Sequence, residues 1–219
     1  FERVMARVRE AIRIIEPADS AERYTGLGVD VRQGHATIVD PWTVAIDGEK
    51  RLTTRSIVIA AGGEPVVPDI PGLEESGYLT SDTLWDALGE RASVPERIVV
   101  IGGGPIGCEL SQAFARLGSQ VVQVEGGDRI MAREDAEVSA FVADALRADG
   151  VDLRLGSKAA RVDGKTLVLS DGSSVPFDEL IVAVGRHARL GGYGLEALGI
   201  ETDKTVVLDD FLRTRFPNI

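Results

Sequence analysis

Three glycines, at positions 102, 104 and 107, carry the clearest chemical signal in the sequence. They follow the apolar run 97–101 and precede apolar residues at helical spacing over 106–117, an order that predicts a strand, a tight turn and a helix. In such a turn the first glycine permits the bend, the second lets the backbone approach a pyrophosphate, and the third lets the helix pack close to the strand. Because a helix N-terminus offers free N–H groups and a positive dipole to phosphates, the pattern predicts a dinucleotide site.

Glu125 indicates which dinucleotide this site would take. It ends the next predicted strand, 120–124, where an acidic side chain can accept hydrogen bonds from the adenosine ribose hydroxyls. A carboxylate there repels a 2′-phosphate, and the two glycines that follow it offer no cation to hold one. The sequence therefore favours NAD(H) over NADP(H). Arg129 and Arg133 could still approach a 2′-phosphate, although solvated surface cations are the more ordinary interpretation.

Two further residues of the glycine segment could do chemistry. Cys108, the only cysteine, is predicted to be buried and inert, as free cysteine in a packed helix usually is, although a helix N-terminus can lower a thiol pKa. Glu109 is either a first-turn helix acid or a nucleotide contact, and the sequence does not decide between the two. His35 and His187 have no cysteine or paired carboxylates at ligand spacing, so no metal site is predicted.

Composition excludes several classes of partner. The 24 basic and 35 acidic residues give a net charge of −11, which repels nucleic acid and anionic membrane surfaces. No apolar run approaches the roughly 18–20 residues of a membrane helix, and no secretory signal opens the sequence. A single cysteine allows no internal disulfide. Together these features predict a cytoplasmic protein without nucleic-acid or membrane partners.

The first half of the chain alternates short predicted elements. Residues 1–15 place Val4, Val8, Ile12 and Ile15 at helical spacing with charged residues between them, which predicts a helix. Short strands are predicted over the ranges 29–31, 35–39 and 43–46, and the continuous apolar run 56–61 predicts a strand buried on both faces. Residues 64–93, interrupted by prolines, are predicted to be a linker with one short helix around 81–88.

The second half predicts an α/β fold that begins with the strand, turn and helix of the glycine segment. A strand over 120–124, a helix over 134–148 and a strand over 151–153 follow, and then three short strands with turns at 163–164 and 171–172. The apolar run 180–185 closes this half. The order is that of a Rossmann-like dinucleotide-binding domain with a β-meander.

The chain also repeats itself at an offset of 123 residues without a gap. Ala36 aligns with Ala159, and Gly62 aligns with Gly185. The glycine turn of the first copy would then lie before Phe1, so the sequence predicts one complete and one incomplete dinucleotide domain. Two unrelated meanders with similar turns are the alternative explanation.

Three segments resemble the pyridine nucleotide–disulfide oxidoreductases, and dihydrolipoamide dehydrogenase and mercuric reductase are the most similar branches. These segments are 57–65, 101–109 and 184–186. The resemblance implies that the incomplete domain binds FAD, with 1–92 as partial FAD domain and linker, 93–213 as the NAD(H) domain and 214–219 as the return to the FAD domain.

Site residues also follow from the resemblance. It implies that Glu125 binds the NAD ribose, that Ala159 and Gly185 contact the nicotinamide nucleotide, and that the pyridine-nucleotide loop comprises Gly102, Gly103, Gly104, Pro105, Ile106, Gly107, Cys108 and Glu109. It implies FAD contacts at Ala36, Ala60, Ala61 and Gly62, with Ala61 in place of the more usual threonine.

The sequence departs from the family pattern in ways that bear on catalysis. The resemblance implies that the first FAD motif and the redox cysteine pair would precede Phe1, and that the dimerisation domain with its His-Glu pair is not expected within these 219 residues, so no catalytic residue is predicted in this chain. Ala188 and Arg189 differ from the family's Gly-Arg-x-Pro-Asn pattern, and Pro105 stands where some members carry a gating aromatic.

The leading hypothesis is a flavoprotein oxidoreductase, of which this chain alone is not catalytically competent. The parent would be a homodimer that passes hydride from NADH to FAD and on to a disulfide or small-molecule acceptor. One alternative is a non-catalytic nucleotide-binding or redox-sensing module. Another is an NADH dehydrogenase or ferredoxin reductase type of flavoprotein without a redox disulfide.

Overall fold

A computed structural model describes all residues, 1–219. The α-helices are α1 (Glu2–Ile15), α2 (Ala21–Gly26), α3 (Leu84–Leu88), α4 (Pro105–Arg116) and α5 (Ala136–Ala148). The strands are β1 (Ala36–Asp40), β2 (Thr43–Ile46), β3 (Lys50–Thr53), β4 (Gly63–Pro65), β5 (Arg97–Ile101), β6 (Gln120–Glu125), β7 (Asp152–Leu155), β8 (Ala159–Asp163), β9 (Thr166–Leu169), β10 (Ser174–Pro176), β11 (Glu179–Val182) and β12 (Arg186–Ala188). None of these helices combines the length and apolar character needed to span a bilayer.

The chain divides into two compact units. The large unit comprises residues 1–11 and 65–186, and the small unit comprises 12–64 and 187–219. The proline-rich segment predicted as a linker packs into the large unit, where Leu73, Leu84 and Leu88 are buried. The assignment of cofactor domains to 1–92, 93–213 and 214–219 stays a prediction.

A four-stranded parallel sheet in the order β11-β5-β6-β7 organises the large unit. Side chains of β5 alternate between two clusters, because successive residues of a strand point to opposite faces. Ile98 and Val100 pack with α4 and α5 on one face, whereas Val99 and Ile101 pack with the meander β8-β9-β10 on the other. The predicted α/β, Rossmann-like fold with a β-meander is confirmed.

The small unit is built around a second antiparallel meander, β1-β2-β3. Its strands β1 and β2 have the same bounds as β8 and β9 when shifted by 123 residues. The sequence repeat is therefore also a structural repeat. A β-bulge interrupts the first hairpin near Ile38 and the second near Ala159.

Two predicted strands do not form. In residues 29–31, Val29 N–H bonds to Tyr24 O at the end of α2, so the segment continues the helix cap and pairs with no strand. The run 56–61 has no regular secondary structure and is not part of a sheet, and Val58 is 88% exposed. The Ile57 N–H bonds to Asn218 O at 2.8 Å. A strand needs a neighbouring strand to bond, and no strand of the chain lies beside this run.

The burial of the first predicted helix does not follow its apolar stripe. The helix forms as α1, but its buried residue is Met5, and Ile12 and Ile15 are exposed. Phe1 and Met5 pack into a cluster of the large unit. Helical spacing identified an apolar stripe, but Met5 lies at the edge of that stripe and contacts the core.

Candidate functional site

The glycine turn joins the end of β5 to the start of α4, and its outer two glycines are needed for close packing. Gly102 has φ +118°, and a Cβ there would lie 2.3 Å from Ala183 O at the end of β11. A Cβ on Gly107 would lie 2.2 Å from Gly102 O. Any larger side chain at either position would push the helix or β11 away from the turn, which agrees with the roles expected for the first and third glycines.

The middle glycine instead faces open space. A Cβ on Gly104 would meet no atom within 4 Å, although the residue is the N-cap of α4. It has no side chain to cap the helix, Pro105 has no N–H, and the first helical amide bond runs from Cys108 N–H to Gly104 O, 3.0 Å. The first turn of α4 therefore presents amide groups and the positive helix dipole next to an open cradle, where an anion can bind.

Glu125, the last residue of β6, is bonded to the glycine turn. Its Oε2 accepts the Gly103 N–H at 2.6 Å, and its Oε1 accepts the Gly127 N–H at 2.7 Å. The side chain is half-buried. A carboxylate has about four acceptor positions, so it can shape the two loops and still accept bonds from ribose hydroxyls. The sequence analysis did not predict these two hydrogen bonds of Glu125.

Three basic side chains near Glu125, those of Arg129, Arg133 and Lys158, differ in what they contact. Arg129 Nη1 donates to Glu134 O and Nη2 donates to Ala132 O, both at 2.9 Å, so its guanidinium is held by its own loop. Arg133 is exposed. The stem of Lys158 covers Gly126, where a Cβ would lie 3.1 Å from Lys158 Cγ. Sequence reasoning missed Lys158, because the contact joins loops 32 positions apart.

Two more of the predicted nucleotide contacts, Ala159 and Gly185, lie at the carboxyl edge of the same sheet. Gly156 N–H bonds to Gly127 O at 2.7 Å, which ties the loop before Ala159 to the loop after β6. Gly185 follows β11, has φ +129° and accepts the Val66 N–H at 2.9 Å. The strand order reverses between β5 and β11, and ligands of open α/β sheets bind at the carboxyl ends at such a point. The structure thus brings the predicted nucleotide residues to one edge.

Cys108 and Glu109 differ in exposure at the start of α4. Cys108 is buried, and burial raises the pKa of its thiol above the usual value. The raised pKa agrees with the prediction that this cysteine is unreactive. The side chain of Glu109 is exposed on the first turn.

The two histidines each have a hydrogen-bond partner. His35 Nε2 lies 2.8 Å from Gly192 O, and His187 Nε2 lies 2.9 Å from Glu64 Oε1.

The residues predicted to contact FAD all lie in the small unit. Ala36 is the exposed first residue of β1 and pairs with Ile46. Ala60 is exposed, Ala61 is half-buried, and Gly62 has φ +72° and accepts the Arg189 N–H at 3.1 Å. Their roles stay predictions.

One buried polar residue of the large unit was not anticipated. Gln123 interrupts the apolar strand β6 directly below the glycine turn and is fully buried. A glutamine between two valines of a predicted buried strand was a visible signal, because a buried amide requires hydrogen-bond partners.

Known proteins resemble almost the whole chain. Residues 4–219 match the family model described as pyridine nucleotide-disulphide oxidoreductase. The mercuric reductase of Lysinibacillus sphaericus is 37% identical over 194 residues, 84% of this chain and 35% of that protein. The dihydrolipoyl dehydrogenase of Pseudomonas aeruginosa is 38% identical over 201 residues, 88% of this chain and 42% of that protein.

A solved structure is also similar to the whole of this chain. The HOCl-induced flavoprotein disulfide reductase RclA from Escherichia coli has a TM-score of 0.85 and 26% identity, and the match covers 100% of this chain and 51% of that one. The chain therefore spans less than half the length of these two curated relatives and about half of the solved reductase.

Proposed function

Because the chain belongs to the pyridine nucleotide-disulphide oxidoreductase family, we propose that it supplies the NADH-binding part of a flavoprotein oxidoreductase. The observation that carries the proposal is the open cradle at Gly104, beside the uncapped N-terminus of α4. Close packing at Gly102 and Gly107 holds the turn, while the space above Gly104 lets a pyrophosphate approach the backbone. Glu125 would bind the ribose at the other end of the cradle.

The proposed preference for NADH over NADPH rests on charge. A 2′-phosphate would lie next to the Glu125 carboxylate, which two backbone N–H bonds hold in place. Arg129 cannot approach that phosphate without giving up its bonds to two backbone carbonyls. The stem of Lys158 does lie over Gly126, so one cation remains close to this end of the cradle.

For the whole protein we propose a homodimeric FAD enzyme. The nicotinamide supplies a hydride that the flavin passes on as electrons to a disulfide or a small-molecule acceptor. In the small unit, Ala36, Ala60, Ala61 and Gly62 would contact the FAD. The relatives that support this proposal are a mercuric reductase and a dihydrolipoyl dehydrogenase. This chain alone would bind nucleotide without turning over an acceptor.

A direct binding titration tests the nucleotide proposal. We expect the wild-type chain to bind NADH more tightly than NADPH, as measured by the fluorescence of the reduced nicotinamide or by calorimetry. Gly104→Ala places a methyl group in the cradle without a clash inside the protein, since nothing lies within 4 Å of that Cβ. We expect it to weaken NADH binding by at least about tenfold while the unfolding midpoint stays unchanged.

Gly26→Ala is the matched control. Gly26 ends α2 in the small unit, and its Cβ would also meet nothing within 4 Å. This variant should retain the wild-type NADH affinity. Failure of the wild type to bind either nucleotide would overturn the proposed function, whereas tighter binding of NADPH would overturn only the cofactor preference.

A further inference from the structure

Gln123 is a buried polar side chain whose contacts lead to the glycine turn. It is 0% exposed in the middle of β6, between Val100 of β5 and Leu153 of β7. Its Nε2 donates to Gly102 O at 3.0 Å and lies 3.6 Å from Cys108 Sγ. The amide thus reaches from the sheet to the backbone of the turn and to the first turn of α4.

The peptide group between Gly102 and Gly103 is held at both of its ends. Its carbonyl accepts from Gln123, and its N–H donates to Glu125. A planar peptide that is fixed at both C=O and N–H cannot rotate. The orientation of the turn therefore depends on these two side chains, of which Gln123 acts from inside the protein.

The next peptide group, between Gly103 and Gly104, is oriented by its carbonyl. Gly103 O accepts from Met131 N–H at 2.7 Å and from the Cys108 thiol at 3.6 Å. In a trans peptide the N–H points opposite to the C=O. Because Met131 and Cys108 hold the carbonyl, the Gly104 N–H of the same peptide is directed away from these two groups.

Gln123 occupies its position at a cost in stability. Its Oε1 is buried and has no hydrogen-bond partner. A methionine of similar length would remove the orphan acceptor but would leave Gly102 O without its Gln123 donor, so the two effects on stability oppose each other and Gln123 brings little net stability. Turning the amide over does not resolve the cost, because Oε1 would then face the Gly102 carbonyl oxygen.

We propose that Gln123 is a positioning residue that holds the Gly102–Gly103 peptide so that the turn presents its N–H groups to the pyrophosphate. The inference rests on the proposed nucleotide site. It adds a residue that cannot touch the nucleotide, because the sheet and α4 enclose it. Its contribution would appear as nucleotide affinity and not as stability.

The test is a comparison of binding and stability in one set of variants of the chain. Gln123→Met keeps the length of the side chain but removes both the donor to Gly102 O and the orphan Oε1. We expect the NADH dissociation constant to rise about tenfold, while the thermal midpoint changes little because the loss of the bond to Gly102 O offsets the removal of the orphan Oε1. Gln123→Val, a strand-forming replacement, provides the same measurement should the methionine variant fold poorly.

Leu153→Ala is the control from the neighbouring strand. Leu153 pairs with Gln123 in the sheet and packs against the core cluster between the parallel sheet and helices α4 and α5. Its truncation should therefore lower the thermal midpoint and leave NADH affinity unchanged. If the wild type binds NADH and both Gln123 variants bind it equally well, the positioning role is overturned and the proposed function stands. If the wild type binds no nucleotide, both are overturned.

Discussion

The two β-meanders of the chain share the bounds of their first two strands at the offset of 123 but bury different amounts of apolar surface. In the meander of the large unit, four apolar side chains are buried: Val162, Leu167, Leu169 and Val175. Their equivalents in the small unit are half-buried or exposed: Val39, Val44, Ile46 and Leu52. The large-unit meander packs on the parallel sheet, whereas no such sheet covers this face of the small-unit meander. A repeated apolar pattern thus defines a face, and a second layer is required to bury it.

The segments that follow the meanders differ even more. Ile181 is 0% exposed in β11, paired with Val100 on one side and bridged to Leu79 on the other. Val58, its equivalent 123 residues earlier, is 88% exposed in a run that pairs with no strand. Both runs are rich in β-branched residues. The difference shows that a parallel strand forms where neighbours bond it, since propensity for strands depends on context.

One feature is the same in both units. Pro71 O accepts the Val162 N–H at 2.8 Å in the large unit, and Tyr193 O accepts the Ile38 N–H at 2.9 Å in the small unit. In each case the next residue is a glycine with positive φ, followed by a buried leucine. We call these two segments, 71–73 and 193–195, the straps. Each strap crosses the first strand of the meander in its own unit.

The largest expected effect separates the two segments that follow the meanders. Ile181→Ala should lower the free energy of unfolding of the large unit by about 4 kcal/mol, because it leaves a cavity in a packed core. Val58→Ala should change the stability of the small unit by less than about 0.5 kcal/mol. Urea unfolding measures both, and the two tryptophans lie in different units, Trp85 in the large and Trp42 in the small.

Single-tryptophan backgrounds assign each transition to its unit. With Trp42→Phe the fluorescence follows the large unit, and with Trp85→Phe it follows the small one. Equal losses for Ile181→Ala and Val58→Ala would contradict the comparison, because they would mean that Val58 is as well packed as Ile181.

Much of the fold could be predicted because its signals are local. The apolar run before Gly102, the glycine spacing and the turns at 163–164 and 171–172 need only neighbouring residues to be recognised. The offset of 123 residues, read from the sequence, relates β1 and β2 of the first meander to β8 and β9 of the second. The run 56–61 was mispredicted because strand formation depends on a pairing partner, which the run itself does not encode.

The candidate site was predictable in its residue types but not in its bonds. Glycine spacing and Glu125 indicate a nucleotide, yet the Glu125–Gly103 bond and the Gln123–Gly102 bond join positions 21 or 22 residues apart. Only the folded sheet brings these groups together. The straps did have a sequence signal that was missed, because Gly-Leu-Glu recurs at 72–74 and 194–196.

The straps give the second prediction. Gly72 has φ +80°, and a Cβ added there would lie 2.0 Å from Val162 O. Gly194 has φ +102°, and a Cβ added there would lie 2.2 Å from Ile38 O. Gly72→Ala should cost about 3 kcal/mol, from the left-handed backbone and from displacement of the strand. Gly194→Ala should destabilise the small unit through the same two causes. Urea unfolding in the single-tryptophan backgrounds measures each unit.

Gly77→Ala separates the two causes. Gly77 has φ +70°, but its Cβ would meet nothing within 4 Å, so only the backbone cost of about 1 kcal/mol is expected. A loss for Gly72→Ala no larger than that for Gly77→Ala would show that the strap is free to move off the meander, and the shared role of the straps would be wrong.

The smallest expected effect concerns a charge that the repeat does not share. Asp178 directly precedes β11, and its carboxylate accepts hydrogen bonds from the Arg97 side chain at 2.7 Å and from the Arg97 backbone N–H at 2.9 Å. The residue at the equivalent position of the first copy is Arg55. The Arg97 side chain lowers the pKa of Asp178. The carboxylate therefore stabilises the folded state above its unfolded pKa of about 4, and this stabilisation is lost as the pH falls through the lower folded pKa.

Asp178→Asn removes the charge but keeps an oxygen for the Arg97 N–H. Because both side chains of the ion pair are more than a third exposed, we expect a loss of only about 0.5 kcal/mol at pH 7 and a flatter decline of stability below pH 4. Unfolding of the large unit by urea between pH 2.5 and 7 measures this. Asp144→Asn, which breaks a more exposed ion pair with Arg147 on α5, controls for the removal of a surface carboxylate and should change stability at pH 7 by no more than Asp178→Asn does. An Asp178→Asn curve parallel to that of the wild type would show that the pair adds no pH-dependent stability to the large unit.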